Sequence, residues 1–164
     1  MIVWRIGVDG ADYLADDLSG KGAQVSGGRW NRKGEPVVYA STTIALAVLE
    51  TVVHIATGEL PLNRYLIRIA IPDDLWAGAL RFDPAAHVGW DAEPTGKVSL
   101  DFGSRWLSGK ASALAIVPSV IVEEELNVLI NPQHPDAVRI SATKLRKFVY
   151  DRRLAPIGKA THKP

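Results

Sequence analysis

The sequence has no cysteine among its 164 residues. A disulfide framework, a thiolate metal site and a catalytic cysteine are therefore excluded, and the lack of thiols agrees with a reducing compartment. The first residues do not combine a basic stretch with a long apolar core, and no run approaches the roughly 18 apolar residues of a membrane span. These absences predict a cytoplasmic protein without membrane contact.

Several common motifs of catalysis and nucleotide binding are also missing. The four histidines lie far apart without HExxH or Cys/His spacing, so no metal site is predicted. No Walker motif, no GxGxxG motif opening a helix and no GxSxG motif occurs. The commonest nucleotide-binding folds and the serine hydrolases with a nucleophile elbow therefore have no support.

Positive charge is concentrated at the C-terminal end. Residues 144–164 hold seven of the 19 Lys and Arg residues but only Asp151 of the 18 acidic residues, a local net charge of +6. Residues 1–143 keep 12 basic and 17 acidic residues, a net charge of −5. A nucleic-acid-binding domain normally carries a basic face on its folded body, so no direct nucleic-acid contact is predicted. We predict one domain over residues 1–154 and a flexible basic tail over residues 155–164.

The local patterns predict one α+β domain. Strands are predicted over residues 2–8, 36–41, 64–71 and 113–117, with one or two more within residues 119–131. Apolar residues at helical spacing predict a helix over residues 42–57, with Ser41 or Thr42 as N-cap and Gly58 as its stop. Residues 18–28 are predicted to form an irregular loop, the residues after Asp101 up to about Gly109 a short helix, and residues 141–154 a closing amphipathic helix.

Three side chains suited to a dinucleotide follow one another across the second strand and the helix after it. Arg29 stands directly behind two glycines, Tyr39 lies near the end of the strand, and Glu50 lies within the helix. An arginine fork pairs with phosphate, an aromatic ring stacks on a planar base, and a carboxylate stabilises an oxocarbenium-like sugar. A helix that packs back on its strand could bring all three to one cleft.

The same residues also fit purely structural roles. The glycines could form a turn, Arg29 a surface ion pair, Tyr39 a core contact, and Glu50 a solvated helix position. Spacing alone leaves both interpretations open. Arg5, in the middle of the first strand, is more suggestive because arginine is seldom buried without a partner.

Residues 18–54, LSGKGAQVSGGRWNRKGEPVVYASTTIALAVLETVVH, resemble the signature region of the RES-domain toxins of bacterial RES–Xre toxin–antitoxin systems. The resemblance extends over about residues 1–150 through WRI at 4–6, VPS at 117–119 and NVLINPQHP at 127–135. It implies a single domain similar to the ADP-ribosyltransferase fold, which has a split β-sheet core with flanking helices.

The resemblance also implies the site residues. The Arg, Glu and Ser after which the family is named fall on Arg29, Glu50 and Ser119, and further pocket residues fall on Arg5 and Tyr39. Glu50, Arg29 and Tyr39 are then the expected catalytic residues. Arg5, Arg29, Tyr39 and Ser119 are the expected NAD-binding residues.

The function that the resemblance implies is a growth-inhibiting toxin that cleaves the nicotinamide–ribose bond of NAD by hydrolysis or phosphorolysis. NAD is then a substrate, and no cofactor is expected. A protein ADP-ribosyltransferase and a non-catalytic NAD-binding module are the alternatives. The expected partners are a cognate Xre-like antitoxin, NAD, phosphate as one candidate acceptor, and a second copy of the chain within a toxin–antitoxin complex.

Overall fold

The computed structural model describes residues 1–54 and 61–154. Within these ranges the chain forms one seven-stranded sheet and four α-helices. The strands are β1 (Ile2–Gly7), β2 (Val38–Ser41), β3 (Tyr65–Ala70), β4 (Leu80–Arg81), β5 (Leu114–Pro118), β6 (Leu126–Ile130) and β7 (Ser141–Lys147). The helices are α1 (Lys21–Ser26), α2 (Ile44–Val52), α3 (Asp73–Ala77) and α4 (Lys97–Gly109), and short 3₁₀ turns cover Pro84–Ala86, Pro135–Arg139 and Arg152–Leu154.

The sheet divides between β1 and β2. Its strand order is β4-β5-β6-β2-β1-β3-β7, and all neighbouring strands are antiparallel except β4 and β5. β1 pairs with β3 along its whole length, but it pairs with β2 only through Trp4 and Ser41. One half of the sheet is therefore β4, β5, β6 and β2, and the other half is β1, β3 and β7. This arrangement confirms the predicted α+β domain with a split sheet.

Apolar side chains cover both faces of the sheet. Because side chains alternate between the faces of a strand, one face forms a single core across both halves, with fully buried members that include Val3, Val38, Ile67, Val128 and Ile130. The opposite face carries two separate clusters. One surrounds Trp30 on the β2 half, and the other forms where α2 packs on β1. The candidate site lies between these two clusters.

Helix α2 is shorter than its sequence pattern predicts. Its N-cap is Thr43, whose side-chain oxygen accepts a hydrogen bond from the Leu46 amide at 3.1 Å. Ser41 still belongs to β2, so the predicted N-cap at Ser41 or Thr42 is wrong by one or two residues. The helix ends at Val52, and the predicted stop at Gly58 lies outside the described residues. The segment that carries Glu50 is nevertheless helical as predicted.

Two predicted segments have a different secondary structure. The glycine-rich segment 18–28 contains the six-residue helix α1, which lies between Gly20 and Gly27, both at φ 73°. A helix of this length is too short to show a helical period. Residues 141–147 form the edge strand β7 instead of the start of a closing helix. β7 pairs with β3, and its side chains point alternately to the two faces of the sheet. Ala142 and Lys144 are therefore half-buried, whereas their neighbours in the strand are exposed.

Helix α4 is longer than the short helix predicted for this part of the chain. It begins at Lys97, five residues before the predicted start, and ends at Gly109 as predicted. Gly103 packs against the backbone of Trp30 so closely that an added Cβ would lie 1.7 Å from the Trp30 carbonyl oxygen. This contact joins α4 to the segment that carries Arg29. None of the helices in the described ranges is long and apolar enough to cross a membrane.

Candidate active site

The Gly-Gly-Arg-Trp-Asn segment, residues 27–31, is held in place by its last residue, Asn31, which is only 1% exposed. The Asn31 side-chain amide donates hydrogen bonds to the carbonyl oxygens of Ala23 and Glu35 at 2.9 and 2.8 Å. Its carbonyl oxygen accepts one from the Tyr39 hydroxyl at 2.8 Å. Buried polar atoms need such partners. Asn31 therefore ties α1, the loop and β2 into one rigid unit.

Tyr39 completes this unit from β2. Its hydroxyl oxygen accepts a hydrogen bond from the Trp30 amide at 3.0 Å while its proton goes to Asn31. A Cβ on Gly28 would lie 2.7 Å from the same hydroxyl oxygen, so a side chain at position 28 would displace Tyr39. Burial raises the pKa of the Tyr39 hydroxyl well above its usual value, so the phenol stays neutral.

Replacing Tyr39 with Phe tests this hydroxyl through pH dependence. The unfolded chain releases the Tyr39 proton near pH 10, whereas the folded protein keeps it. The unfolded state then binds fewer protons, so stability falls as the pH rises above about 10. We expect Tyr39→Phe to lose about 1–3 kcal/mol at neutral pH, because the Trp30 amide loses its acceptor. We also expect a shallower alkaline fall in denaturant midpoint than in the wild type; parallel falls would contradict this role.

The Arg29 side chain is only 14% exposed. One guanidinium nitrogen donates to the carbonyl oxygens of Trp90 and Ala92 at 3.2 and 2.9 Å. The other donates to the Glu93 carboxylate at 2.9 Å. The rings of Trp30 and Trp90 stack with their centroids 6.0 Å apart. The guanidinium fork thus fastens the 90–93 segment beside the Gly-Gly-Arg-Trp-Asn segment.

Glu50 projects from α2 toward the other half of the sheet. Its Oε1 accepts hydrogen bonds from the Ser119 hydroxyl at 2.8 Å and from the Asn127 side-chain amide at 2.5 Å. Ser119 follows β5 and Asn127 belongs to β6. These two bonds therefore cross the split in the sheet. No hydrogen bond reaches Oε2 of Glu50 from the described part of the chain.

The Ser119 hydroxyl is held in one orientation. Ser119 is fully buried, and its oxygen accepts hydrogen bonds from the Ile121 and Val122 amides at 3.0 and 3.3 Å. With its oxygen occupied by these donors, the hydroxyl directs its proton to Glu50. The turn after β5 therefore presents a fixed donor to the carboxylate.

Arg5 is the one predicted site residue that stands apart. Trp4 pairs with Ser41, and Arg5 pairs with Ile67. Because neighbouring residues of a strand point to opposite faces, the Arg5 side chain leaves β1 on the face opposite to that of Trp4. Its guanidinium donates to the Asp17 carbonyl oxygen at 3.4 Å. Burial lowers its pKa from the usual value, although nearby Tyr13 and Asp17 oppose that shift. Arg5 is therefore a partly buried cation whose nearest acceptor is a carbonyl.

A comparison with protein-family models matches residues 2–151 to the RES domain. The chain belongs to the RES domain family. This confirms the resemblance carried by the Gly-Gly-Arg-Trp-Asn segment and its flanking motifs. The relatives of this RES domain include the Prs ADP-ribosylating toxin of Sphingobium sp. (strain YBL2), 57% identical over 152 residues, which are 92% of this chain and 94% of that protein.

Two further relatives are both named toxin Res. The protein of Pseudomonas putida is 37% identical over 94% of this chain and 99% of its own length. The protein of Yersinia enterocolitica is 34% identical over 87% of this chain and 93% of its own length. Among solved structures, a chain of the M. tuberculosis MbcT–MbcA toxin–antitoxin complex matches with a TM-score of 0.54 at 19% identity, covering 88% of this chain and 83% of that chain. That likeness concerns the fold.

In this RES domain, Glu50 and Ser119 are in direct contact, and Tyr39 is close enough for the charges of Arg29 and Glu50 to act on it. Arg5 makes no hydrogen bond to any of these four within the described ranges. Asn31 and Asn127 are not among the site residues predicted from the sequence. The feature of the sequence that points to Asn127 is its position as the one polar residue in the apolar run LNVLI, residues 126–130. No cluster of three metal-ligating side chains occurs among the residues described here.

Replacing Arg29 with Lys tests the anchor on the 90–93 segment. A lysine ammonium is a point charge without the planar fork, so it cannot hold the two carbonyl oxygens and Glu93 in the same geometry. We expect limited proteolysis within residues 91–95 to become several-fold faster, with a global unfolding midpoint close to that of the wild type. The exposed control Arg105→Lys should leave the cleavage rate unchanged. Unchanged cleavage in Arg29→Lys would contradict the anchor.

Proposed function

We propose that this RES domain is a toxin that cleaves the nicotinamide–ribose bond of NAD and transfers the ADP-ribosyl group to a protein. Its relatives are named as Res toxins and as an ADP-ribosylating toxin, and ADP-ribosylation takes its donor group from NAD. The predicted NAD-consuming toxin enzyme is thereby confirmed at the level of its class. The acceptor, the residue roles and the partners below are our proposal.

The observation that carries the proposal is the geometry of Glu50. Two donors from the opposite half of the sheet hold Oε1, whereas Oε2 accepts no hydrogen bond from the described residues. A carboxylate fixed by one oxygen can bind a ribose hydroxyl with the other. It can also stabilise positive charge on the sugar without reorganising, because its orientation is set before the substrate arrives.

The reaction needs little further chemistry from the protein. The bond between ribose C1′ and the nicotinamide nitrogen breaks, and its electron pair leaves with a ring that is already cationic in NAD, so nicotinamide departs neutral. The sugar becomes an oxocarbenium-like cation that the Glu50 carboxylate stabilises. The acceptor nucleophile then bonds to C1′ and releases its proton. A general acid for the leaving group is unnecessary.

The other predicted site residues take roles around this carboxylate. Arg29 and Arg5 are proposed to bind the pyrophosphate side of NAD, and Arg29 must exchange its bond to Glu93 for one to a phosphate oxygen. Tyr39 is proposed to face the nicotinamide with its ring while its neutral hydroxyl holds the loop. Ser119 is proposed to support NAD binding through Glu50.

A protein acceptor is favoured over water or phosphate by the relative at 57% identity, whose name describes ADP-ribosylation of Prs. We therefore propose Prs as the acceptor. Hydrolysis and phosphorolysis become the competing outcomes. We further propose a cytoplasmic location, an Xre-like antitoxin partner that suppresses the toxin, and a homodimer within their complex.

The acceptor is tested by nicotinamide release from NAD with the purified toxin in three parallel reactions that contain buffer alone, phosphate, or Prs. The proposal predicts that Prs accelerates release most. Equal rates in all three reactions would indicate hydrolysis, and acceleration by phosphate alone would indicate phosphorolysis. A basic protein unrelated to Prs serves as the control for non-specific stimulation of nicotinamide release.

A further inference from the structure

Asn127 links Glu50 to the strand on the far side of the site. It is the second residue of β6 and pairs with Ser41 of β2. Its side-chain oxygen accepts a hydrogen bond from the Ser41 hydroxyl at 2.7 Å, and its amide nitrogen donates to Oε1 of Glu50 at 2.5 Å. Ser41 is buried, with 3% exposure. The three side chains form a short relay from β2 through β6 to α2.

The chemistry of these groups fixes the direction of the relay. An ionised carboxylate only accepts hydrogen bonds, so the NH₂ group of Asn127 must face Glu50. Its oxygen must then face Ser41, whose hydroxyl donates. A flipped amide would set an oxygen against the carboxylate and lose that bond. The Glu50 carboxylate therefore selects the amide orientation, and Ser41 supplies the donor that the Asn127 oxygen needs in that orientation.

We propose that Asn127 is a positioning residue that aims Glu50 at the substrate, an inference that rests on the proposed function. Asn127 and Ser119 both donate to Oε1, from β6 and from the turn after β5. Two donors on one oxygen stop the carboxylate from rotating, so Oε2 remains the oxygen that is available to the substrate. The donors belong to one half of the sheet, whereas α2 packs on β1 in the other half. Asn127 thus links the two halves as well as orienting Glu50.

The deciding variant is Asn127→Asp, which keeps the size of the side chain and removes its donor. Two carboxylates at hydrogen-bond distance raise the pKa of the pair, so at acidic pH they share a proton. The shared proton restores a donor to Glu50. As the pH rises the proton leaves, and the two negative charges repel. We expect kcat for nicotinamide release to fall roughly 10- to 100-fold at pH 8, with a recovery relative to wild type toward pH 5.5 and little change in KM for NAD.

Two further variants keep the test decisive. Ser41→Ala removes the donor to the Asn127 oxygen, so the amide is held less firmly against Glu50, and we expect a several-fold lower kcat without the acid recovery. The exposed Asn63→Asp adds the same charge elsewhere and should match the wild type. Thermal unfolding reports folding of each variant, and Ser41→Ala decides the question if Asn127→Asp does not fold.

Wild-type kcat and a wild-type pH profile in a folded Asn127→Asp variant would overturn the positioning role while leaving the proposed function intact. Equal loss at every pH, without acid recovery, would also overturn it, since a purely structural role gives that result. A wild-type protein that releases no nicotinamide, even with Prs present, would instead remove the proposed function itself and this inference with it.

Discussion

Replacing Glu50 with Gln lowers kcat for nicotinamide release about 1000-fold, a loss of the size seen when a group that stabilises transition-state charge is removed. The amide keeps an oxygen that can accept from Ser119 and Asn127, so the side chain stays in place. It loses the negative charge that stabilises the sugar cation. NAD binding should therefore change much less than turnover. Initial rates of nicotinamide release over a range of NAD concentrations separate the two effects.

The matched control is Glu124→Gln on the exposed loop before β6. It removes the same charge at a position away from the contacts of Glu50, and we expect wild-type rates. A Glu50→Gln protein with a wild-type unfolding midpoint and a rate within about threefold of the wild type would contradict the proposed role of the carboxylate. The same change would leave a non-catalytic NAD-binding module largely intact, which distinguishes that alternative from an enzyme.

Replacing Gly103 with Ala destabilises the domain by about 3 kcal/mol, at the upper end of typical overpacking costs. The new Cβ would lie 1.7 Å from the Trp30 carbonyl oxygen and 2.6 Å from its carbonyl carbon. Backbone atoms cannot move aside as the end of a flexible side chain can. Either α4 or the Gly-Gly-Arg-Trp-Asn segment must shift, so activity should fall with stability. Thermal unfolding should show a midpoint lower by roughly 6–12 °C.

Gly109 gives the control within the same helix. A Cβ on Gly109 would meet no atom within 4 Å. Alanine also has the higher helix propensity, so Gly109→Ala should be neutral or slightly stabilising. If Gly103→Ala unfolded at the wild-type midpoint, the packing of α4 on Trp30 would be wrong.

The sequence predicted the parts of the fold that have a clear period or motif. β1, β2, β3 and β5 occur within about two residues of their predicted positions, because their apolar runs are bounded by turn-forming residues. α2 was predicted from its apolar spacing, and the motif around Arg29 was sufficient for the family. The resemblance assigned Glu50 and Ser119 to one site, although they lie 69 positions apart, but it did not predict the hydrogen bond between them. No local pattern predicts such a pairing.

The failures have two physical causes. Residues 141–154 are predicted to form an amphipathic helix, but over residues 141–147 pairing with β3 outweighs the local pattern. The contacts of Arg29 could not be predicted because its acceptors are backbone carbonyls more than 60 positions away. An arginine behind two glycines looks the same in sequence whether it binds a phosphate or a loop. The tail at residues 155–164 lies outside the described residues, and its flexibility stays a prediction.

The most direct test of the central claim is transfer of label from adenine-labelled NAD to purified Prs, measured with the wild-type toxin and with Glu50→Gln. The account predicts that the wild type leaves label on Prs after denaturing electrophoresis, in step with nicotinamide release, and that Glu50→Gln leaves almost none. Equal labelling by both proteins would contradict the role of Glu50. Nicotinamide release by the wild type without label on Prs would contradict the protein acceptor.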